Sequence, residues 1–167
     1  MYDELTPVDI KKIEEELYYR ILTLRPKILE DVKTARGFGD LSENFEYKAA
    51  KQERGRNESR IRYLQRMLRT AVVVNIDEEG EGIGLFDKVK IFIEEYEEEQ
   101  DIQLVTTLRQ NAFEGLISKE SPLGAAIAGR KVGDRVFVEV SAGNGYHVVI
   151  RSIEKSEDDE NLPIRGY

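Results

Sequence analysis

The chain has no cysteine and no tryptophan, and its 167 residues hold one histidine, two methionines and four prolines. Without cysteine there is no disulfide framework, no thiolate metal centre and no thiol nucleophile, which fits a reducing cytoplasm. The single histidine, His147, lies in a strand-like run and is expected as a packed or surface side chain; a Ser/His/Asp system is disfavoured. No run approaches the roughly 18 apolar residues of a membrane span. The opening MYDELTPVDIKKIEEELYYR is charged from its third residue and lacks an apolar h-region, so a soluble, cytoplasmic protein with no membrane partner is expected. Deaminase, kinase, zinc-protease and Rossmann patterns are all missing.

Charge is present but uneven. The net charge of −8 argues against gripping duplex DNA through its phosphates, which needs a basic surface. Residues 1–75 carry 15 Lys and Arg against 13 Asp and Glu, whereas residues 76–167 carry 10 against 20. Within residues 33–69 the count is 10 basic against 5 acidic. That local excess is where a polyanionic partner would be met.

Apolar residues recur at Ile10, Ile13, Leu17, Ile21, Leu24, Ile28, Val32 and Ala35, spaced by threes and fours. The period, about 3.67 per turn, predicts a long helix with a nearly straight or slightly right-handed pairing. Thr6-Pro7 supplies a cap and first-turn proline, and Pro26 predicts a bend. Gly37 and Gly39 break the pattern. A second helix is expected from about Asp40–Ser42 to Arg69, with apolar marks at Phe45, Ala49, Ile61, Leu64, Leu68 and Ala71. The short connection makes the two antiparallel, an arm whose rods of roughly 28 residues reach about 40 Å. KAAKQERGRNESR (48–60) has little to bury and should project into solvent or into a partner.

From Val72 the texture turns to β-branched runs: AVVVNI (71–76), FDKVKIFIEE (86–95), DIQLVTTL (101–108), DRVFVEV (134–140) and YHVVIRSI (146–153) read as strands. LGAAIAGRK (123–131), after Ser121-Pro122, reads as a short helix, and Asn144-Gly145 as a tight hairpin turn. The organisation expected is an arm over 1–75, an α+β domain over 76–157 and a flexible tail over 158–167.

The turn GFGDLSENFEY (37–47) holds Asp40 and Glu43 three residues apart. Spacing alone fits a capping box, with Asp40 as N-cap and Glu43 at N3. Spacing alone favours that reading; the sharper one is an outward carboxylate pair for Mg²⁺, which commonly takes one or two protein carboxylates and fills its shell elsewhere. EEGEGIG (78–84) lacks GK[ST] and carries glutamates that repel phosphate, so a loop is expected. The acidic run IEEYEEEQD (93–101) reads as a solvated hairpin.

ARGFGDLSENFEYKAAKQERGRNESRIRYLQRML (35–68) and ISKESPLGAAIAGRKVGDRV (117–136) resemble, in order and separation, the two signatures of the GreA/GreB transcript-cleavage factors. The resemblance implies an α+β protein with an N-terminal antiparallel coiled-coil hairpin and a C-terminal FKBP-like domain. It implies a monomeric factor, without catalysis of its own, whose partners are bacterial RNA polymerase and the 3′ end of nascent RNA in a backtracked complex. Asp40 and Glu43 match the family's tip carboxylates, which help hold a Mg²⁺ ion shared with the polymerase active centre and orient the water that cleaves the RNA. Leu41, Ser42, Asn44 and Tyr47 match the motif as tip-shaping residues. Lys48, Lys51, Arg54 and Arg56 would steer the arm toward RNA phosphates. Glu120, Ser121 and Pro122 match the loop implicated in docking at the channel rim, although a helix-start turn explains them locally. An FKBP-like fold need not be an isomerase, and no aromatic prolyl pocket is evident.

Two features depart from that pattern. Phe45 stands where the family more often has alanine, and the second helix is rich in arginine. A Gre-like channel-binding inhibitor without cleavage activity is therefore the rival reading, and a free-standing helical adaptor the third.

Overall fold

The structure, a computed structural model, describes residues 3–39, 43–75 and 80–166. Two compact units divide the chain, one over Ile10–Ala71 and the other over Asp3–Asp9 with Val72–Gly166. The division differs from the expected 1–75 and 76–157 because the first described residues belong with the sheet unit. There β1 (Glu4–Leu5) pairs in parallel with β2 (Val72–Val73), Glu4 opposite Val72.

Helix α1 (Pro7–Tyr19) starts on a reciprocal box. The Asp9 N–H donates to Thr6 Oγ1 at 3.2 Å and the Thr6 N–H donates to Asp9 Oδ2 at 3.0 Å, satisfying two donors that the helix cannot pair internally. The rod continues as a π-helical turn over Arg20–Leu24 and then as α2 (Arg25–Arg36). The Arg25 N–H donates to the Arg20 carbonyl, five residues back. Pro26 has no N–H, and its ring would crowd the carbonyl four residues earlier; the wider turn just before it makes room. A π turn thus stands where a simple proline bend was expected.

The apolar stripe of this rod faces inward: Ile13, Leu17, Ile28, Val32 and Ala35 are buried. Opposite it, α3 (Phe45–Thr70) buries Ala50, Asn57, Arg60, Ile61, Leu64 and Met67. Ile61 and Leu64 face inward as expected, whereas Phe45 and Ala49 are exposed and Ala50 is buried instead. The phase is carried partly by polar residues. Segment 48–60 is therefore not wholly solvent-facing, as Arg60 takes Glu16 in a two-point bond at 3.0 and 3.1 Å. Arg20 reaches Asn57 at 2.9 Å, and Arg25 grips Glu58 at 2.8 and 2.9 Å. Glu16 meets Arg60 near one end while Ala35 meets Asn44 near the other, so the two rods run antiparallel.

In the other unit, β3 (Lys88–Ile93), β4 (Glu98–Val105), β5 (Leu116–Ser118), β6 (Arg135–Ser141) and β7 (Asn144–Glu154) form one sheet in the order β5-β4-β3-β7-β6. Only β4–β5 is parallel. Alternate residues of these strands, among them Val89, Ile91, Ile102, Leu104, Val138, Val148 and Ile150, meet Ile127 of α4 (Pro122–Ile127) in the core. The β6–β7 turn falls at Ala142-Gly143, with Gly143 at φ 75°, not at Asn144-Gly145. Gly145 instead lies in β7, where an added Cβ would sit 1.9 Å from the Val138 carbonyl oxygen. The acidic run forms the β3–β4 hairpin as expected, with Glu94 on Arg135 and Glu95 on His147.

Arg109, fully buried, draws both termini of this unit together. It donates from Nε to Asp9 Oδ1 at 2.6 Å, from Nη1 and Nη2 to Asp158, and to the Asp159 carbonyl at 3.0 Å, while its guanidinium lies 5.0 Å from the Phe86 ring centroid. Thr6 Oγ1 donates to Asp158 as well. The expected fraying of residues 158–167 gives way to these contacts and to Leu162 packing on the Phe86, Val105 and Leu116 cluster. Nothing local in the tail announces partners so far away in sequence.

Candidate functional site

Among the described residues, Asn44 ties together the two helix ends on either side of the α2–α3 turn. Asn44 N-caps α3, its Oδ1 accepting the Tyr47 N–H at 3.0 Å, and its Nδ2 donates at 2.6 Å to the Ala35 carbonyl in the last turn of α2. One amide therefore satisfies an orphan donor of one helix and an orphan acceptor of the other. The expected capping box is corrected accordingly: α3 starts at Phe45, so Glu43 precedes the cap and cannot occupy N3. Asp40, Leu41 and Ser42 lie outside the described residues.

Glu43 is exposed, and no hydrogen bond or ion pair engages its carboxylate among the described residues. No group of three or more His, Asp or Glu is placed to hold a metal among those residues. A single free carboxylate of hard oxygen donors suits a Mg²⁺ ion that draws most of its shell from elsewhere, and would not retain one alone. Phe38 and Phe45 flank this carboxylate in sequence. Both are exposed, at 68% and 80%, and both line an open cleft of about 570 Å³ with Glu43, Asn44 and Glu46.

Behind the acidic end lies a basic face. Arg36 stacks over the Tyr47 ring at 5.6 Å, and hydrogen bonding from Arg36, helped by the charges of Lys51 and Arg54, lowers the Tyr47 phenol below its ordinary value despite some desolvation. Lys48 sits 5.7 Å from the Phe45 ring centroid. Lys48, Lys51, Arg54 and Arg56 are all exposed. Spacings of three bring the first three along one side of α3, while Arg56 lies roughly 160° around the helix from Arg54. Arg36 belongs to this cluster although sequence reasoning left it out. Its partner is eleven residues away across a turn, beyond any helical spacing.

The sheet unit places Glu120, Ser121 and Pro122 at the start of α4. Ser121 Oγ accepts the Gly124 N–H at 3.1 Å and donates to the Ser118 carbonyl at 2.6 Å, and Pro122 takes the first turn. An added Cβ at Gly124 would lie 1.9 Å from the Ser118 oxygen, so this turn admits only glycine there. Glu120 and Pro122 are exposed.

Comparison with known proteins sets the class. Residues 4–73 match the family model described as transcription elongation factor, N-terminal, and residues 78–155 match that described as transcription elongation factor, GreA/GreB, C-term. The transcription elongation factor GreA of Geobacillus kaustophilus is 42% identical over 134 residues, covering 80% of this chain and 85% of that protein. That of Thermoanaerobacter pseudethanolicus is 44% identical over 142 residues, covering 83% and 89%. The chain belongs to the GreA/GreB family of transcription elongation factors. Among solved structures, GreA factor homolog 1 of Thermus thermophilus aligns over 92% of this chain and 99% of its own, at 24% identity and a TM-score of 0.44.

Proposed function

We propose that this protein enters the secondary channel of bacterial RNA polymerase and stimulates Mg²⁺-dependent cleavage of the 3′ end of backtracked RNA, so that arrested complexes resume. The observation that carries this reading is the free, exposed Glu43 carboxylate beside the Asn44 clamp, three residues after Asp40 in the sequence. Family membership supports the partner.

Asp40 and Glu43 would present carboxylate oxygens to a Mg²⁺ ion completed by the polymerase and the RNA. When bound, Mg²⁺ lowers the pKa of water and offsets the charge that develops on the phosphate oxygens. Asn44 holds the turn that presents the pair, and Tyr47 packs on the Ile28, Val32 and Ala50 cluster beneath it. By the family resemblance, Leu41 and Ser42 would help shape the tip. Lys48, Lys51, Arg54 and Arg56 attract RNA phosphates, each contributing modestly because each is solvated. Glu120, Ser121 and Pro122 dock the sheet unit at the channel rim. The protein acts in the cytoplasm as a monomer.

The test adds purified protein and Mg²⁺ to a stalled, backtracked elongation complex with 5′-labelled RNA. Shortened transcripts that resume extension are expected, and Asp40→Ala with Glu43→Ala should abolish them while polymerase binding persists. Slowed nucleotide addition without shortening would assign the channel-inhibitor role instead.

A further inference from the structure

We propose that Phe45 is a stacking platform for a nucleobase at the 3′ end of the RNA, with Lys48 beside it for an adjoining phosphate. The proposal rests on the reading that the tip meets RNA, and adds to it a residue that sets which 3′ ends are handled fastest.

Among the described residues, Phe45 has no structural task. The first position of α3 is capped by Asn44, and the apolar cluster nearest the turn is completed by Ile28, Val32, Ala50, Leu24 and Tyr47 without it. Its ring is left 80% exposed beside Phe38. Single exposed aromatics are ordinary on protein surfaces, but here the neighbours are chemically specific. Lys48 lies 5.7 Å from the Phe45 centroid, and Arg36 lies 5.6 Å from that of Tyr47, so aromatic faces alternate with cations. Surfaces that hold single-stranded nucleic acid combine these two elements, stacking for bases and positive charge for the backbone.

The rim argues for a base over an apolar protein surface. Glu43, Asn44 and Glu46 line the same cleft as the two rings. Charged groups are depleted from the core of protein interfaces, whereas an unstacked base offers polar edges that such groups can meet. Glu46, exposed, can accept from the amino group of adenine, guanine or cytosine. Uracil has no amino group and only a single ring to stack, so a uracil end should profit least.

The experiment uses the full chain and backtracked complexes that differ only in the 3′ nucleotide, one of them ending in 2-aminopurine, whose emission falls when it stacks. Wild-type protein should lower that emission and cleave purine ends faster than uracil ends. Phe45→Ala and Phe45→Leu should restore the emission, slow cleavage of purine ends roughly 5- to 150-fold, and level the dependence on the base; Phe45→Tyr should recover all three. The leucine variant keeps apolar bulk without a π face, so a packing role would be spared by it. Unchanged emission and rates in Phe45→Ala would overturn the stacking role while shortening by wild type still upheld the cleavage reading. Phe45-dependent emission loss without shortening would uphold stacking and overturn cleavage.

Discussion

The two units use opposite means to fix their structure. In the sheet unit, strand alternation delivers a continuous apolar core, and the buried Arg109 is satisfied by Asp9, Asp158 and a carbonyl. In the arm, the middle of the helix pair is polar: Glu16, Arg20, Arg25, Asn57, Glu58 and Arg60 meet in matched pairs where apolar layers would otherwise lie. Apolar packing tolerates a shift in register better than paired hydrogen bonds do. The difference teaches that the arm's length and register are set by directional contacts, leaving its outer face free to be basic.

The largest effect should come from breaking the buried Arg109 network of the sheet unit. Arg109→Ala strands Asp9 without its cation, and loss of one partner from a buried pair costs about 3–5 kcal/mol. Hydrogen exchange should show the sheet amides losing protection; unaltered protection would mean that Arg109 is not what holds the tail and first strand.

A smaller effect is expected in the arm. Burial raises the Glu16 pKa, but hydrogen bonds from Arg60 and Arg20 outweigh it, leaving the carboxyl below its usual 4.5. A depressed folded-state pKa contributes stability that is present above about 4.5 and is lost as pH falls through the lower folded value. Glu16→Gln should cost about 1.5–3 kcal/mol at neutral pH and flatten the acid limb of helix loss followed by circular dichroism. An acid limb as steep as in the wild type would assign it to other carboxylates.

The smallest concerns the turn. Asn44→Ala removes a cap worth about 1 kcal/mol, while Asn44→Asp keeps the acceptor for Tyr47 and loses the donor to Ala35. If both variants lower the melting temperature, the bond across the turn matters as well as the cap. If only alanine does, the cap alone matters.

Much of this architecture is legible in local spacing. The stripe from Ile10 to Ala35 faces inward as read, and the five long β-branched runs hold strands, because helical and strand periods are properties of neighbouring residues. Thr6-Pro7 also reads correctly as a helix start, with Asp9 completing the box. The same logic misplaced the cap of α3 from Asn44 to Asp40, since D-x-x-E and Asn-before-helix are both valid local signals, and only the helix start decides between them. On α3 the apolar count reads Ile61 and Leu64 as inward, as they are, but skips Asn57 and Arg60, polar residues that also occupy inward positions.

The sequence by itself determined the two kinds of structure, the place of the turn, and the family, through motifs that lie within short stretches. Tertiary structure decided which polar groups pair: Arg109 with Asp9 and Asp158, Arg60 with Glu16, Asn44 with Ala35, and Arg36 with Tyr47. The reason is physical. Periodicity and capping act over a few residues, whereas a charge can choose a partner dozens of positions away only once the backbone has brought the two within hydrogen-bonding distance.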